Sequence, residues 1–301
     1  MGKVLSMRDA IARLVHDGET LYAAGFTHLI PFAAAHEIIR QGRRGLVLCR
    51  ATPDLIYDQM IAAGCARKVV FSWAGNPGIG MLRPFRRAME AGTIELEEYT
   101  HFGMLARLYA GAAGLPFMPV RTNVGSDLPA HNPHIRTIVD PYGGGTLSVV
   151  PALRADVAII HVHRADADGN AQTWGIIGEQ REAAFAADRV IVVAEEIVDP
   201  EVIRADPNRT LLPDFKVDAV VHEPWGAHPS YVQGAYDRDA EAYREWDRAS
   251  STVEGTDRYL REWVYELPDR AAYVQKLGDE RLAGLRPAPL HSTPVNYGRY
   301  A

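Results

Sequence analysis

Cysteine is scarce. The two residues Cys49 and Cys65 offer neither a disulfide framework nor a metal-ligand spacing. A basic stripe is also lacking: the formal charge is -6 and the acidic residues are dispersed, which argues against binding a phosphate backbone. No apolar run approaches the roughly 18 residues of a membrane span, and Met1 to Arg8 has no apolar core of a signal peptide. These absences lead us to expect a reduced, cytoplasmic protein with no metal, nucleic acid or membrane partner. There is no internal repeat, low-complexity block or flexible linker. What is present is an ordinary globular composition, 47% apolar and 23% charged over 301 residues, long enough to bury a large core.

Strand-like and helix-like segments alternate. Ser6 reads as an N-cap, followed by Met7, Ile11, Leu14 and Val15 on one helical face and a stop at Asp17-Gly18. Thr20 to Ala24, Gly45 to Arg50 and Lys68 to Trp73 are short apolar runs, as buried strands are. The intervening Pro31 to Gly42 and Pro53 to Ala63, and the later Met81 to Ala91, read as helices. Asp156 to His163 and Arg189 to Ala194 are near-continuous apolar runs with a crossover helix between them at Glu179 to Ala187, and Val217 to His222 is one more strand. This pattern predicts an α/β fold with an open, mostly parallel sheet covered by helices on both faces. From about Ala235 the strands stop. Residues 1–234 are therefore expected to form the α/β domain. Residues 235–301 form a helical C-terminal extension on the same domain, ending in a Pro-, Gly- and Tyr-rich tail from Pro287.

Three turns are rich in glycine: Ala24-Gly25-Phe26-Thr27, Gly75-Asn76-Pro77-Gly78-Ile79-Gly80 and Gly125-Ser126-Asp127. Ligands of open parallel sheets bind outside the carboxyl ends of strands. Glycine lets the backbone approach them, and N–H groups at a following helix start favour anions such as a carboxylate or a thioester oxyanion. Any one of these turns alone is accounted for as a tight connection; three on one sheet edge suggest a binding site. The second is no dinucleotide fingerprint, because its glycine spacing is wrong. Gly143-Gly144-Gly145 reads as a flexible connector between loops.

Other constellations fall short. Asp166 to Asn170 resembles the start of a calcium loop, but Ala171 and Ile177 occupy the positions that need Gly and Glu, which leaves a turn. Glu195-Glu196 could serve acid–base chemistry, or one of them could cap a helix or pair with an arginine. His161 and His163 share a strand face without a third ligand, as satisfied buried histidines would. His28, His101 and His228 are scattered. No Gly-x-Ser-x-Gly elbow is present, and neither cysteine has a motif context. The sequence thus offers a ligand-shaped sheet edge without a nucleophile.

Several segments resemble one family. Asp17-Gly18 running into Ala24-Gly25-Phe26, with Pro31 after it, is similar to the N-terminal signature of class I coenzyme A transferase α subunits, with Ala24 in place of a glycine. The resemblance continues in Gly114-Leu115-Pro116-Phe117-Met118-Pro119-Val120 with Gly125-Ser126, in Asp156 to His161 and the turn ending at Asn170, and in Glu195-Glu196-Ile197. It ends in Val217 to Val221 with Pro224, Gly226, Ala227, His228 and Pro229. It is nearest to the glutaconate branch of that family, and it extends to the α subunits of steroid ring-opening CoA hydrolases.

The resemblance implies a two-subunit enzyme with coenzyme A as a substrate and no permanently bound cofactor. Its nucleophilic Glu would belong to a homologous β subunit, leaving no catalytic residue here. Acyl-CoA and a carboxylic acid would be the substrates, and Gly25, Phe26, Thr27, Asn76, Gly78, Gly125 and Ser126 would enclose the acyl part. Hydrolysis of a thioester or a ring carbon–carbon bond on the same fold is the alternative. Pro77 stands where the glutaconate branch has Ser, which removes a hydroxyl and an N–H; this speaks against a dicarboxylic acceptor. Trp225, Trp246 and the tail suit either an interface or a core.

Overall fold

The structure is a computed structural model and describes residues 2–287; the predicted tail beyond Pro287 lies outside the described residues. Helix α1 (Met7–Leu14) begins where expected, with the Ser6 side chain accepting a hydrogen bond from the Asp9 N–H. Then follow β1 (Thr20–Ala23), α2 (Phe32–Arg40), β2 (Leu46–Cys49), α3 (Leu55–Ala62), β3 (Ala66–Phe71), α4 (Arg83–Glu90) and β4 (Glu95–Glu98). The next stretch holds α5 (His101–Ala112), β5 (Phe117–Val120), α6 (Leu128–His131), β6 (Arg136–Val139) and β7 (Thr146–Pro151). The long strands β8 (Ala155–Ala165) and β10 (Ala187–Ile197) flank β9 (Ala171–Gln172) and α7 (Gln180–Phe185). After α8 (Pro200–Ala205), β11 (Thr210–Leu212) and β12 (Ala219–His222), the described residues hold only helices: α9 (Ala240–Ala249), α10 (Val253–Leu260) continued by a π-helical turn (Arg261–Tyr265), α11 (Arg270–Leu277) and α12 (Asp279–Gly284).

Seven strands pair in parallel in the order β4-β3-β2-β1-β8-β10-β12, while β9 and β11 add a short antiparallel end beyond β8. Side chains alternate between two cores. Leu21, Leu48, Val69, Ile159, Ile191 and Val221 face one, and Tyr22, Val47, Val70, Ile160, Val192 and Val220 face the other. A strand buried on both faces cannot show a polar–apolar alternation, which is why these segments read as continuous apolar runs. Each such Leu, Ile or Val contributes about 1.5–3 kcal/mol on burial.

Three features differ from the sequence expectation. Strand β4 was invisible because it lies at the sheet edge and carries Glu95, Glu97 and Glu98, charges that suit an edge. A second sheet, β5-β7-β6, is antiparallel and packs Val120 and Val150 into the second core. Gly143-Gly144-Gly145 is therefore the connection of the β6–β7 hairpin, closed by the Asp140 N–H donating to the Gly145 carbonyl, rather than a connector between loops. The C-terminal helices anchor on the first core: Trp246 is fully buried and its Nε1–H donates to Asp58 Oδ2 at 2.8 Å. Trp246 is thus a core residue, and Trp225 stacks on Tyr236 at 4.3 Å.

Candidate functional site

The turn after β1 is tightly wound. A Cβ on Gly25 would sit 2.8 Å from the Leu29 carbonyl oxygen and 2.9 Å from that of His28, and φ is +133°, so only glycine fits. Thr27 (φ 57°) and Leu29 (φ 56°) also adopt left-handed backbone, which is costly for Thr in particular. The turn is held by Ser230, whose hydroxyl donates to the Thr27 carbonyl at 3.1 Å. Phe26 stays 38% exposed.

The turn after β3 leans on the β2–α3 loop. The Gly75 N–H donates to the Pro53 carbonyl, and the buried Asn76 Oδ1 accepts from the Leu55 N–H at 2.9 Å. Asn76 thereby serves the first turn of α3, while its Nδ2 has no partner. Gly78 is open to solvent with φ +74°. Two strand spacings, about 10 Å, separate the first turn from the second.

Gly125 and Ser126 follow β5, which belongs to the small sheet; the expectation that all three turns leave one sheet is corrected here. The third turn still reaches the same edge, because Thr122 and Thr100 share a hydrogen bond at 2.9 Å and Thr100 caps α5 directly after β4. The Ser126 hydroxyl donates to the Asn123 carbonyl at 3.0 Å. The first two turns thus follow β1 and β3 of the large sheet, and the third follows β5 of the small sheet, tied to the start of α5 through Thr122 and Thr100.

Residues that sequence reasoning left uninterpreted fill this edge. The Ser72 hydroxyl donates to the Ala51 carbonyl at 2.5 Å and so accepts from His101 Nδ1 at 2.9 Å. His101 Nε2 shares a hydrogen bond with the Thr52 hydroxyl at 2.9 Å. This network places a hydrogen on Nδ1 and ties the start of the second turn to α5. Asn123 and Gln180 are buried, and neither their amide oxygens nor their nitrogens have a partner. Lone His, Ser, Asn and Gln residues so far apart in sequence leave no periodicity or motif to find them by. Phe26, Trp73, Ile176 and Ile177 are each more than a third exposed around the first two turns.

Neither cysteine and neither residue of the Glu195-Glu196 pair offers this edge an activated nucleophile, and Asp127 in the third turn is exposed without capping the following helix. Burial pushes the Cys49 thiol up to about 12 and the Cys65 thiol up to about 11, so neither is a thiolate at neutral pH. Glu195 is committed to the fold. It accepts from His161 Nε2 at 2.8 Å, the Trp225 N–H at 2.7 Å and the Tyr236 hydroxyl. Burial pushes its carboxyl up, but these donors outweigh burial and hold it below the ordinary carboxylate value. Glu196 is exposed. The Asp166 carboxylate accepts from the N–H groups of Asp168, Gly169 and Asn170, a turn rather than an ion site. The described residues contain no cluster of three metal-ligating side chains and no helix long and apolar enough to cross a membrane.

Comparison with known proteins gives this arrangement a context. The family model described as coenzyme A transferase matches residues 4–223. The chain is 46% identical over 282 residues to the A-type subunit of the 3-oxoadipate CoA-transferase of Pseudomonas knackmussii, covering 93% of this chain and 99% of that protein. The A-type subunit of the glutaconate CoA-transferase of Acidaminococcus fermentans is 36% identical over 96% of each chain. The crystal structure of that transferase superposes with a TM-score of 0.92 at 35% identity, covering 95% of this chain and 96% of that one. The cholesterol ring-cleaving hydrolase IpdA subunit of Mycobacterium tuberculosis is 31% identical over 93% of this chain and 99% of its own length.

Proposed function

The chain belongs to the coenzyme A transferase family, and from that premise we propose that it is the A-type member of a two-subunit enzyme that moves CoA from an acyl-CoA to a carboxylic acid. The observation that carries this reading is a ligand-shaped sheet edge whose nearby thiols are buried, whose Glu195 is held by three donors, and whose one turn carboxylate, Asp127, lies exposed without capping the following helix. The reactive acid then comes from a homologous β-type subunit. Its Glu carboxylate attacks the thioester carbonyl, giving a mixed anhydride and the CoA thiolate. The thiolate attacks the glutamyl carbonyl of the anhydride, forming a glutamyl-CoA thioester and releasing the first acid. The second acid attacks that thioester, and the thiolate returns to its acyl carbonyl, yielding the new acyl-CoA and the free Glu.

In this reading Gly25, Phe26, Thr27, Asn76, Gly78, Gly125 and Ser126 enclose the acyl half. Backbone N–H groups of the turns lie where an oxyanion develops. The half-exposed Phe26, Trp73, Ile176 and Ile177 become the apolar ground on which the partner closes. The 46% identical relative carries 3-oxoadipate, a dicarboxylic acid, in its name. A short dicarboxylic acid is therefore the first acceptor to assay, although Pro77 offers it no hydroxyl. The likeness to a ring-cleaving hydrolase supports a second reading, hydrolysis of the acyl-CoA by water. The test is turnover of acyl-CoA by this chain alone and co-expressed with its β-type partner, with and without added acid. Transfer should need both the partner and the acid. Loss of acyl-CoA in the complex without acid would select the hydrolase.

A further inference from the structure

Gln180 opens α7, is fully buried, and leaves both ends of its carboxamide without a hydrogen-bond partner. An amide buried in that state costs about 1–3 kcal/mol, so the fold alone does not account for it. A hydrophobic residue of the same length would fill the space more favourably.

A Cβ on Gly178 would lie 3.5 Å from Gln180 Oε1 and 3.3 Å from Phe26 Cβ, so the bare Gly178 backbone stands between Gln180 and the glycine turn after β1. Gly178, not Gln180 itself, lines a neighbouring cavity of about 340 Å³ that is also edged by Thr173, Arg181, Glu182, Asn208 and Arg209. The segment bounding it, Gly175 to Gly178, has a glycine at each end and carries the half-exposed Ile176 and Ile177. It is tied down by His28 Nδ1–H donating to the Ile176 carbonyl at 2.9 Å, the ring's Nε2 being occupied by the Gln233 N–H.

We infer that the Gln180 carboxamide and the adjoining arginine-edged cavity receive the oxygen-bearing, acid-terminated end of the acyl chain, with the Gly175–Gly178 segment yielding to admit it. The Gln180 N–H groups suit a carbonyl or carboxylate oxygen along the chain, and of the cavity's two guanidiniums Arg181 suits its acidic terminus, Arg209 being paired with Asp206 at 2.8 Å. Ile177 and Phe26 flank the methylene groups. A site built around an otherwise unpaired donor rejects the analogue that lacks the acceptor, because the donor then stays orphaned. This inference rests on reading the glycine edge as the acyl-facing half of a CoA-transferase site.

The test compares succinyl-CoA with butyryl-CoA, equal in carbon number, in the complex with its β-type subunit. Gln180→Met keeps the length and removes the donors. The ratio of kcat/KM for succinyl-CoA over butyryl-CoA should fall by about 10- to 100-fold, while thermal stability holds or rises. An unchanged ratio, or an equal loss for both esters with a lowered Tm, would overturn the inference and make the amide a structural group. If Gln180→Met does not assemble, Gly178→Ala gives a second reading. Its backbone conformation accepts alanine, and the added methyl against Gln180 and Phe26 should lower the same ratio; no change there would equally overturn it. Should the wild-type complex transfer CoA to no acid, the proposed function fails separately. Binding of the two esters to wild type and variant, measured by calorimetry, then decides the Gln180 question alone.

Discussion

Two buried polar regions of this molecule look alike in composition and differ in degree of satisfaction: the one around Glu195 leaves single atoms, His161 Nδ1 and Arg270 Nη1, unpaired on side chains that are otherwise bonded, while the other leaves whole carboxamides unpaired. Around Glu195, each carboxylate oxygen has a donor, and the neighbouring His228 is held by Tyr273 at 2.9 Å and Asp239 at 3.0 Å. Along the glycine turns, Asn76 has one orphaned amide nitrogen, while Asn123 and Gln180 have wholly orphaned amides. Proteins pair nearly all buried polar groups, because an unpaired one costs more than a typical hydrogen bond returns. The first region therefore reads as architecture, joining β8 and β10 to the segment from Trp225 to Asp239. The second reads as a surface waiting for a ligand and a partner chain. Glu195-Glu196 is the more eye-catching acid–base candidate in sequence, yet in the proposed reading the less conspicuous amides mark the site.

The contrast makes graded predictions. The largest effect belongs to Glu195→Ala, which leaves His161, Tyr236 and the Trp225 N–H without their acceptor. We expect a loss of about 3 kcal/mol, read as a shifted urea midpoint, with specific activity per folded complex largely retained. A stable Glu195→Ala protein that has lost turnover would move the chemistry to this cluster. Next is Asn76→Ala. It removes the acceptor of the Leu55 N–H and should cost about 1 kcal/mol, together with a fall in turnover beyond what that stability change explains. Stability loss with full turnover would reduce Asn76 to a helix anchor.

The smallest effect is a pH dependence confined to the architectural side. Burial pushes the His163 imidazole down to about 3, below its ordinary value of about 6.5. Its Nε2 donates to the Gln233 carbonyl and its Nδ1 accepts from Thr173, which fixes the neutral form. Below about pH 6.5 the unfolded chain therefore binds a proton that the folded chain refuses, and stability falls with pH until near the folded value. His228, pushed down to about 4 by burial, acts in the same sense. Asp58 and Glu223, both pushed up to about 7 by burial, act in the opposite sense between about pH 4 and 7. The clean readout is thus a difference: His163→Gln should destabilise less at pH 5 than at pH 7.5, by on the order of 1 kcal/mol. Equal destabilisation at both values would show that His163 is not held neutral.

The fold was legible where burial leaves a compositional mark. Strands β1, β2, β3, β8 and β10 are apolar runs because both faces are covered, and the helices between them carry caps and glycine stops. It was illegible where the environment is mixed. Strand β4 reads Glu-Leu-Glu-Glu because an edge needs charge, and the small antiparallel sheet exposes Phe117 and Val139 while burying Val120 and Val150. On the site side, glycine revealed the turns, because close approach and positive φ restrict the choice of residue. The Thr52–His101–Ser72 chain and Gln180 gave no signal: their partners, or lack of them, exist only after α5 and α7 have packed against the sheet.

In the proposed function the reacting acid is supplied from outside this polypeptide. Borohydride added to the two-subunit complex during acyl-CoA turnover reduces a glutamyl thioester in place, and peptide mass spectrometry then locates the altered Glu. The mark should fall on a β-subunit peptide and leave every peptide of this chain unmodified. Reduced Glu195 or Glu196 would contradict the claim outright.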